Sequence, residues 1–322
     1  MTEHIQQELT VPRELHGQRL DAVLAQLLPQ YSRSLISTWI KAGAVQLNGK
    51  ACKPKDKTLG EDKIKLNVEY TPEDSHFHAC QAEDIPLDIV YEDQHVLVVN
   101  KPAGLVVHPG AGNREHTLVN ALLHHAPSLQ HLPRAGIIHR LDKDTTGLLI
   151  VAKTLTAHTA LIRQMQAREI DRQYLALVQG HVIAGGTIET EFGRHPRNRL
   201  KMAVVNQGRE AVTHYSVQKQ YGHFTLLDVN LLTGRTHQIR VHLEHIHHPI
   251  VGDQLYGGRM RFPAEATEEL RQILQEFKRQ ALHAQYIAFL HPETEEELTF
   301  TAPIPDDFAL LLKTLDDTND HE

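Results

Sequence analysis

Three stretches of this chain hold residue types and spacings that could do chemistry. The first is Ile137-Ile138-His139-Arg140-Leu141-Asp142-Lys143-Asp144-Thr145-Thr146-Gly147-Leu148, where two carboxylates and two cations stand between apolar runs. Such runs are expected to be buried strands, and the polar loop between them would hold a carboxylate rigidly at a sheet edge. Asp142 is then either a reactive carboxylate or a turn cap paired with Lys143 or Arg140, and residue type alone leaves both open. In the second stretch, Leu232 to Leu243, Gly234 ends a strand and Thr236 is the expected helix cap. Ile239, Leu243 and Ile246 then share a helix face, placing Arg240 at its buried edge. An arginine there either grips a carboxylate and keeps it ionised, or serves as a structural ion pair or phosphate contact. The third stretch, Arg172 to Gly180, reads as a strand with Tyr174, Ala176 and Val178 on one face. Its tyrosine either fills the core or stacks on a base and holds a hydroxyl beside a reacting sugar.

Other chemistries fit less well. Asp142 and Asp144 could form a glycosidase pair, yet Trp39 is the single tryptophan and aromatics make up only 5% of the chain, too few to line a sugar cleft. The 24 histidines include no HExxH pattern and no Cys/His quartet, so no metal site is expected. Gly110-Ala111-Gly112 lacks the Gly-Lys-Ser/Thr ending of a phosphate loop. Cys52 and Cys80 form no CxxC pair, no stretch is long enough for a membrane span, and the N-terminus has no leader pattern, so a cytoplasmic location is expected.

The elements that must position these residues fall into two groups. Residues 17–68 read as a small unit: one helix over 19–28 ended by Pro29, a second over 33–42 capped by Ser32, then strands at 44–47 and 63–68 with an Asn48-Gly49 turn. Residues 69–84 are polar, carry a proline and have no apolar period, as a linker does. From Ile85 the chain turns strand-rich, with strands expected at 87–91, 96–100, 105–108, 148–153, 173–178 and 224–231 and a helix over 154–168. Strands and helices do not alternate regularly, which predicts an α+β domain built on a mixed or antiparallel sheet across 85–305, and 306–322 reads as an acidic tail.

A net charge of −7 argues against a polyanionic partner until its distribution is considered. Residues 17–68 hold nine Lys/Arg against four acids, and 192–209 hold five against none. Residues 262–322 carry 14 acids and four bases, so the acid is segregated at the C-terminal end and two basic surfaces remain for phosphates.

Taken in order, the three stretches resemble the RluA-type family of pseudouridine synthases. His139-Arg140-Leu141-Asp142 with Thr145-Thr146-Gly147 looks like that family's nucleophile motif, and Gly234-Arg235-Thr236-His237-Gln238-Ile239-Arg240-Val241-His242 looks like its arginine motif. Arg19-Leu20-Asp21, Tyr31-Ser32-Arg33-Ser34, Lys41-Ala42-Gly43 and Val45-Gln46-Leu47-Asn48-Gly49-Lys50 are similar to the small S4-like RNA-binding module, and the resemblance as a whole runs over residues 17–305. It implies a catalytic domain that isomerises uridine in RNA without metal or nucleotide cofactor, because the base is detached, turned and rejoined with no redox change and no group lost. It implies Asp142 as the nucleophile or ribose-activating carboxylate, Tyr174 at the flipped base, Arg240 paired with Asp142, and Arg140 in the gap the uridine leaves. RNA contacts are implied at Arg33, Lys41, Lys50, Arg194, Arg197, Arg199, Lys201 and Arg235. Residues 85–93, 107–113, 134–137, 211–215 and 279–284 look like the branch that modifies a stem-loop of large-subunit rRNA. That branch implies helix 69 of 23S rRNA, free or in a pre-ribosomal particle, as the partner, and no membrane. Residues 194–201 and 254–258 depart from the branch, which leaves another rRNA or tRNA site, or an inactive assembly protein, as the alternatives.

Overall fold

Helical and alternating apolar spacing each find a face to bury in the computed structural model, which describes residues 3–28, 31, 33–70, 80–110, 113, 115–260, 262–263 and 266–319. Pro29, Ser32, most of the expected linker (71–79), Ala111, Gly112 and the last three residues lie outside the described set. The chain divides into two compact units, Met1–Asp84 with Leu122–Ala135, and Ile85–Ala121 with Gly136–Glu322. The first therefore begins earlier than the expected 17–68, and it takes in a segment from the middle of the sequence.

In the first unit, α1 (Leu20–Leu27) and α2 (Arg33–Lys41) turn Leu20, Val23, Leu24, Ile36, Trp39 and Ile40 inward, as their spacing predicts. A four-stranded sheet meets them, in the order β1 (Glu3–Thr10), β4 (Lys63–Tyr70), β2 (Val45–Leu47), β3 (Lys50–Ala51). Asn48 and Gly49, with φ of 51° and 74°, make the tight β2–β3 turn. Strand β1 lies outside the sequence expectation; its eight-residue antiparallel pairing with β4 is a long-range contact that local pattern does not reveal.

The second unit is α+β. Its ten-stranded sheet runs β10 (Met202–Val204), β9 (Gly186–Arg194), β11 (Arg209–Tyr221), β12 (Phe224–Leu231), β8 (Asp171–Gln179), β13 (Leu282–Leu290), β7 (Thr146–Ala152), β6 (Val96–Lys101), β5 (Asp88–Glu92), with β14 (Glu297–Thr301) pairing β13. The β13–β7 pair is parallel and its neighbours antiparallel, so the sheet is mixed. Helix α3 (Leu118–His125) comes between β6 and β7 in the chain, α4 (Leu155–Ala167) packs on β7, α5 (Gln238–His245) and α6 (Glu268–Glu276) come between β12 and β13, and α7 (Asp306–Asn319) follows β14. No helix among the described residues is long and apolar enough to cross a membrane.

Three expectations change. Residues 105–108 form no strand; Val106 makes only an isolated bridge to Thr117. Ile137 and Ile138 are buried but not in a strand, and β7 lies inside the sheet between β13 and β6, so the polar loop opens from a central strand and not from an edge. The acidic tail is in fact helix α7: Asp306 and Asp307 lie in its first turn, where the helix dipole favours acids, and Phe308, Leu311 and Leu315 are buried.

Candidate active site

Strand β7 is buried along its whole length, and the loop at its start is tied down from several sides. Lys101, at the end of β6 and fully buried, donates its three ammonium hydrogens to the carbonyls of Pro102 (2.7 Å), Leu105 (3.0 Å) and Lys143 (2.8 Å). Burial pushes that ammonium down to about 7, against the pull of Asp144 and Asp142. Gln280 Nε2 donates to Thr145 Oγ1 (2.9 Å), and Thr146 Oγ1 pairs with His283 Nδ1 (2.8 Å). The Ile150 amide donates to His139 Nε2 (3.2 Å). Gly147, with φ of 113°, passes so close to β13 that a Cβ would stand 2.2 Å from the Ala284 carbonyl oxygen. These ties fix the backbone on both sides of Asp142 while its side chain keeps 13% exposure.

Arg240 meets that loop from α5. The helix begins one residue later than expected, capped by His237 in the left-handed conformation (φ 61°) with no side-chain cap bond. Gln238 explains the change: its Oε1 accepts from the Thr233 hydroxyl (2.8 Å) and the Arg235 amide (3.0 Å), and its Nε2 donates to Val212 O (3.1 Å) and Thr213 Oγ1 (3.0 Å). The entering turn is therefore built around a buried amide. Arg240 gives Nε and Nη2 to Asp253 (2.7 and 2.8 Å) and Nη1 to Asp142 Oδ2 (2.9 Å). Asp253 Oδ1 also accepts the amides of Leu255 and Tyr256, both at 2.9 Å. Burial opposes the guanidinium charge, but hydrogen bonds donated to Asp253 and the charges of the two nearby carboxylates outweigh it and raise the Arg240 pKa. Burial likewise opposes the Asp253 charge, and Arg240 with the two amides overturns it and lowers that pKa. Gly252 (φ 76°) lets this turn pass 2.2 Å, measured from an added Cβ, from the Arg279 carbonyl oxygen.

Tyr174 stands on β8, which lies between β12 and β13, and is 6% exposed. Among the described residues its hydroxyl has no hydrogen-bond partner, and burial raises its pKa, so it stays a neutral phenol. Two cavities share Asp142, Arg140, His237 and Arg240 as walls. One, of about 230 Å³, is closed by Val107, Lys143 and Gln280; the other, of about 40 Å³, reaches Tyr174 and Arg235. The three residues picked from separate stretches therefore converge on one place.

The expected RNA contacts distribute unevenly. Arg140 is exposed at the mouth of both cavities, and Arg235 is half-buried with its Nε on Glu210 O (3.3 Å). Lys201 lies 5.4 Å from the ring centre of Tyr256, which also carries Arg240 at 5.0 Å, so the basic connection between β9 and β10 reaches the site. Arg194, Arg197 and Arg199 are exposed on that connection. In the first unit Lys41 and Lys50 are exposed, while Arg33 spends one nitrogen on Asp21 (2.7 Å).

Sequence reasoning missed Lys101, Asp253 and Tyr256. A lysine closing an otherwise apolar strand before Pro102, and an aspartate directly after Gly252, were the available signals. Among the histidines, His242, His283 and His291 are buried: His242 bonds Thr213 Oγ1 (2.8 Å) and Thr190 Oγ1 (3.0 Å), and burial pushes it down to about 4. No cluster of three or more His, Cys, Asp or Glu able to hold a metal occurs among the described residues.

With this geometry in place, comparison with known proteins is direct. Residues 95–245 match the model of the RNA pseudouridylate synthase family and residues 18–64 that of the S4 domain. The chain is 52% identical to the ribosomal large subunit pseudouridine synthase D of Xylella fastidiosa, over 96% of this chain and 92% of that one. It is 50% identical to the protein of the same name from Pseudomonas aeruginosa, over 98% and 97%. Among solved structures it is similar to human RNA pseudouridylate synthase domain containing 4, with a TM-score of 0.56 and 26% identity over 71% of this chain and 92% of that one.

Proposed function

The chain belongs to the RNA pseudouridylate synthase family, and we propose that it isomerises uridines of large-subunit rRNA, in helix 69 of 23S rRNA, with Asp142 as the reacting carboxylate. One observation carries the assignment of Asp142: Arg240 holds Oδ2 at 2.9 Å while the carboxylate faces the cavity that also contains Tyr174. An arginine in this position orients the carboxylate, and the bidentate clamp on Asp253 keeps the arginine itself from moving.

The reaction breaks the bond from ribose C1′ to N1, turns the base and forms a bond from C1′ to C5, with one proton lost at C5 and one gained at N1. Asp142 drives opening of the glycosidic bond, and the Tyr174 phenol, whose hydroxyl bonds none of the described residues, serves the base and its proton. A paired uridine is out of reach, so it must be extruded; Arg140, exposed at the cavity mouth, fills the gap it leaves. Lys201, Arg194, Arg197, Arg199 and Arg235 in the second unit, and Lys41 and Lys50 in the S4 unit, take the phosphates. Arg33 contributes its half-exposed remainder beside Asp21. The reading implies a cytoplasmic protein acting on rRNA, either free or in an assembling particle.

Mapping pseudouridines on large-subunit rRNA from cells lacking the protein, complemented with wild type or Asp142→Asn, tests the assignment and the target together. Wild type restores the helix 69 modifications and Asp142→Asn restores none, while the variant still binds the RNA. Full modification by the variant would sink the role of Asp142, and loss of pseudouridines elsewhere would move the target.

A further inference from the structure

His237 closes the side of Asp142 that Arg240 leaves open. Its Nε2 lies 3.9 Å from Asp142 Oδ1, and its Nδ1 lies 2.8 Å from the Tyr256 hydroxyl. That hydroxyl already accepts the Met202 amide at 2.8 Å, so its own proton has Nδ1 as the available acceptor. A lone pair at Nδ1 places the ring proton on Nε2, facing the carboxylate; the opposite tautomer would set the Nε2 lone pair against Oδ1 and strand the tyrosine proton. The backbone of His237 is left-handed, with φ of 61°, an arrangement a non-glycine residue adopts only where surrounding contacts hold it. His237 also lines both cavities.

Resting on the proposed function above, we infer that His237 is a positioning residue for Asp142: a neutral imidazole, its proton fixed on Nε2 by Tyr256, that aims the free carboxylate oxygen into the cavity. Arg240 takes one oxygen and His237 directs the other. At 3.9 Å the Nε2–H stands beyond hydrogen-bond reach of Oδ1, so it acts on the carboxylate as an aligned dipole that orients it without neutralising it, whereas an imidazolium would form a second ion pair and blunt its reactivity. Burial lowers the His237 pKa, opposed by Asp142 and reinforced by Arg240 and Arg140, which agrees with a neutral ring.

Two measurements test this. Long-range proton–nitrogen spectra of histidine-labelled protein, with His237 assigned by its loss in His237→Gln, report the tautomer; the expected signature is neutral Nε2–H, relaxing to a mixture in Tyr256→Phe. Single-turnover pseudouridine formation reports positioning. His237→Asn tolerates the left-handed backbone but is too short to reach Asp142, and Tyr256→Phe keeps the ring beneath Arg240. Each is expected to slow the chemical step by roughly tenfold to a hundredfold, the effect of a displaced reacting group, with RNA affinity unchanged within about twofold. Because they act through one chain of contacts, the double variant falls no further than His237→Asn alone, and His237→Gln, which restores an N–H of similar reach, recovers most of the rate. An Nδ1–H tautomer, an imidazolium, or multiplicative losses in the double variant overturns the inference. Absence of any pseudouridine activity in wild type would instead overturn the proposed function, and the spectra would still decide the tautomer.

Discussion

Arg240 holds two carboxylates, and it holds them differently. Asp253 has no solvent exposure at its side chain, receives two guanidinium nitrogens and accepts two backbone amides. Asp142 receives one nitrogen, keeps 13% exposure and opens on two cavities. One charge is fully satisfied and the other is restrained yet available. The contrast separates a carboxylate that builds the site from one left open to the cavity, where the proposed function puts it to work, a distinction the shared arginine alone does not make.

The sharpest way to break this comparison is to exchange the two losses. Asp142→Asn is expected to reduce pseudouridine formation by roughly a thousandfold or more, as removal of a principal catalytic group does, with stability in urea nearly unchanged. Asp253→Ala should instead lower unfolding stability by about 3–5 kcal/mol, since it leaves the buried Arg240 charge short of its main partner. Equal stability losses in the two variants would erase the distinction. Next in size, Tyr174→Phe should slow the chemical step by about 10²–10³-fold in single-turnover assays while RNA affinity holds, because the hydroxyl it removes bonds no group among the described residues.

The structural side of the site also predicts an acid limb in stability. Burial holds His242 and His283 down to about 4, below the ordinary 6.5, so the folded state keeps them neutral. Their contribution is complete above about 6.5 and is lost as pH falls toward 4, because the unfolded chain binds the protons. His242→Gln should flatten that limb by up to about 1.4 kcal/mol per pH unit in urea titrations, the slope one proton accounts for. Asp253, held below its usual range, adds a loss at lower pH still. The smallest effect belongs to the surface: Lys201→Ala should leave single-turnover chemistry near wild type and reduce the slope of log affinity against log salt by about 0.7–0.9, the signature of one lost phosphate contact.

Much of this was legible along the chain. Apolar spacing located α1, α2, α4, β8 and β12 closely, and Asn48-Gly49 announced its turn, because each depends on neighbours within a few residues. The cations proposed to meet RNA stand in two basic runs, of which only 192–209 is free of acids, and Arg33 already has Asp21 for company, a pairing across twelve residues that composition does not show. Strands β1, β9, β11 and β13 were not legible, nor was the helical character of 306–319. Their stability comes from pairing and packing with distant segments, such as β13 between β7 and β8 or Asp307 against Arg279.

What the sequence by itself determined is the chemistry available: a carboxylate in a polar loop, an arginine on a helix, a tyrosine on a strand, and cations spared from the acidic C-terminal end. Which of these residues meet, and on what terms, only the tertiary structure decided. Asp142 and Arg240 are 98 positions apart and touch at 2.9 Å, while the arginine's stronger partner, Asp253, and the tyrosine that fixes His237 come from a turn no motif had marked. The physical reason is that a buried charge must be satisfied wherever the fold brings a partner, and the fold brings partners by sheet order and not by distance along the chain.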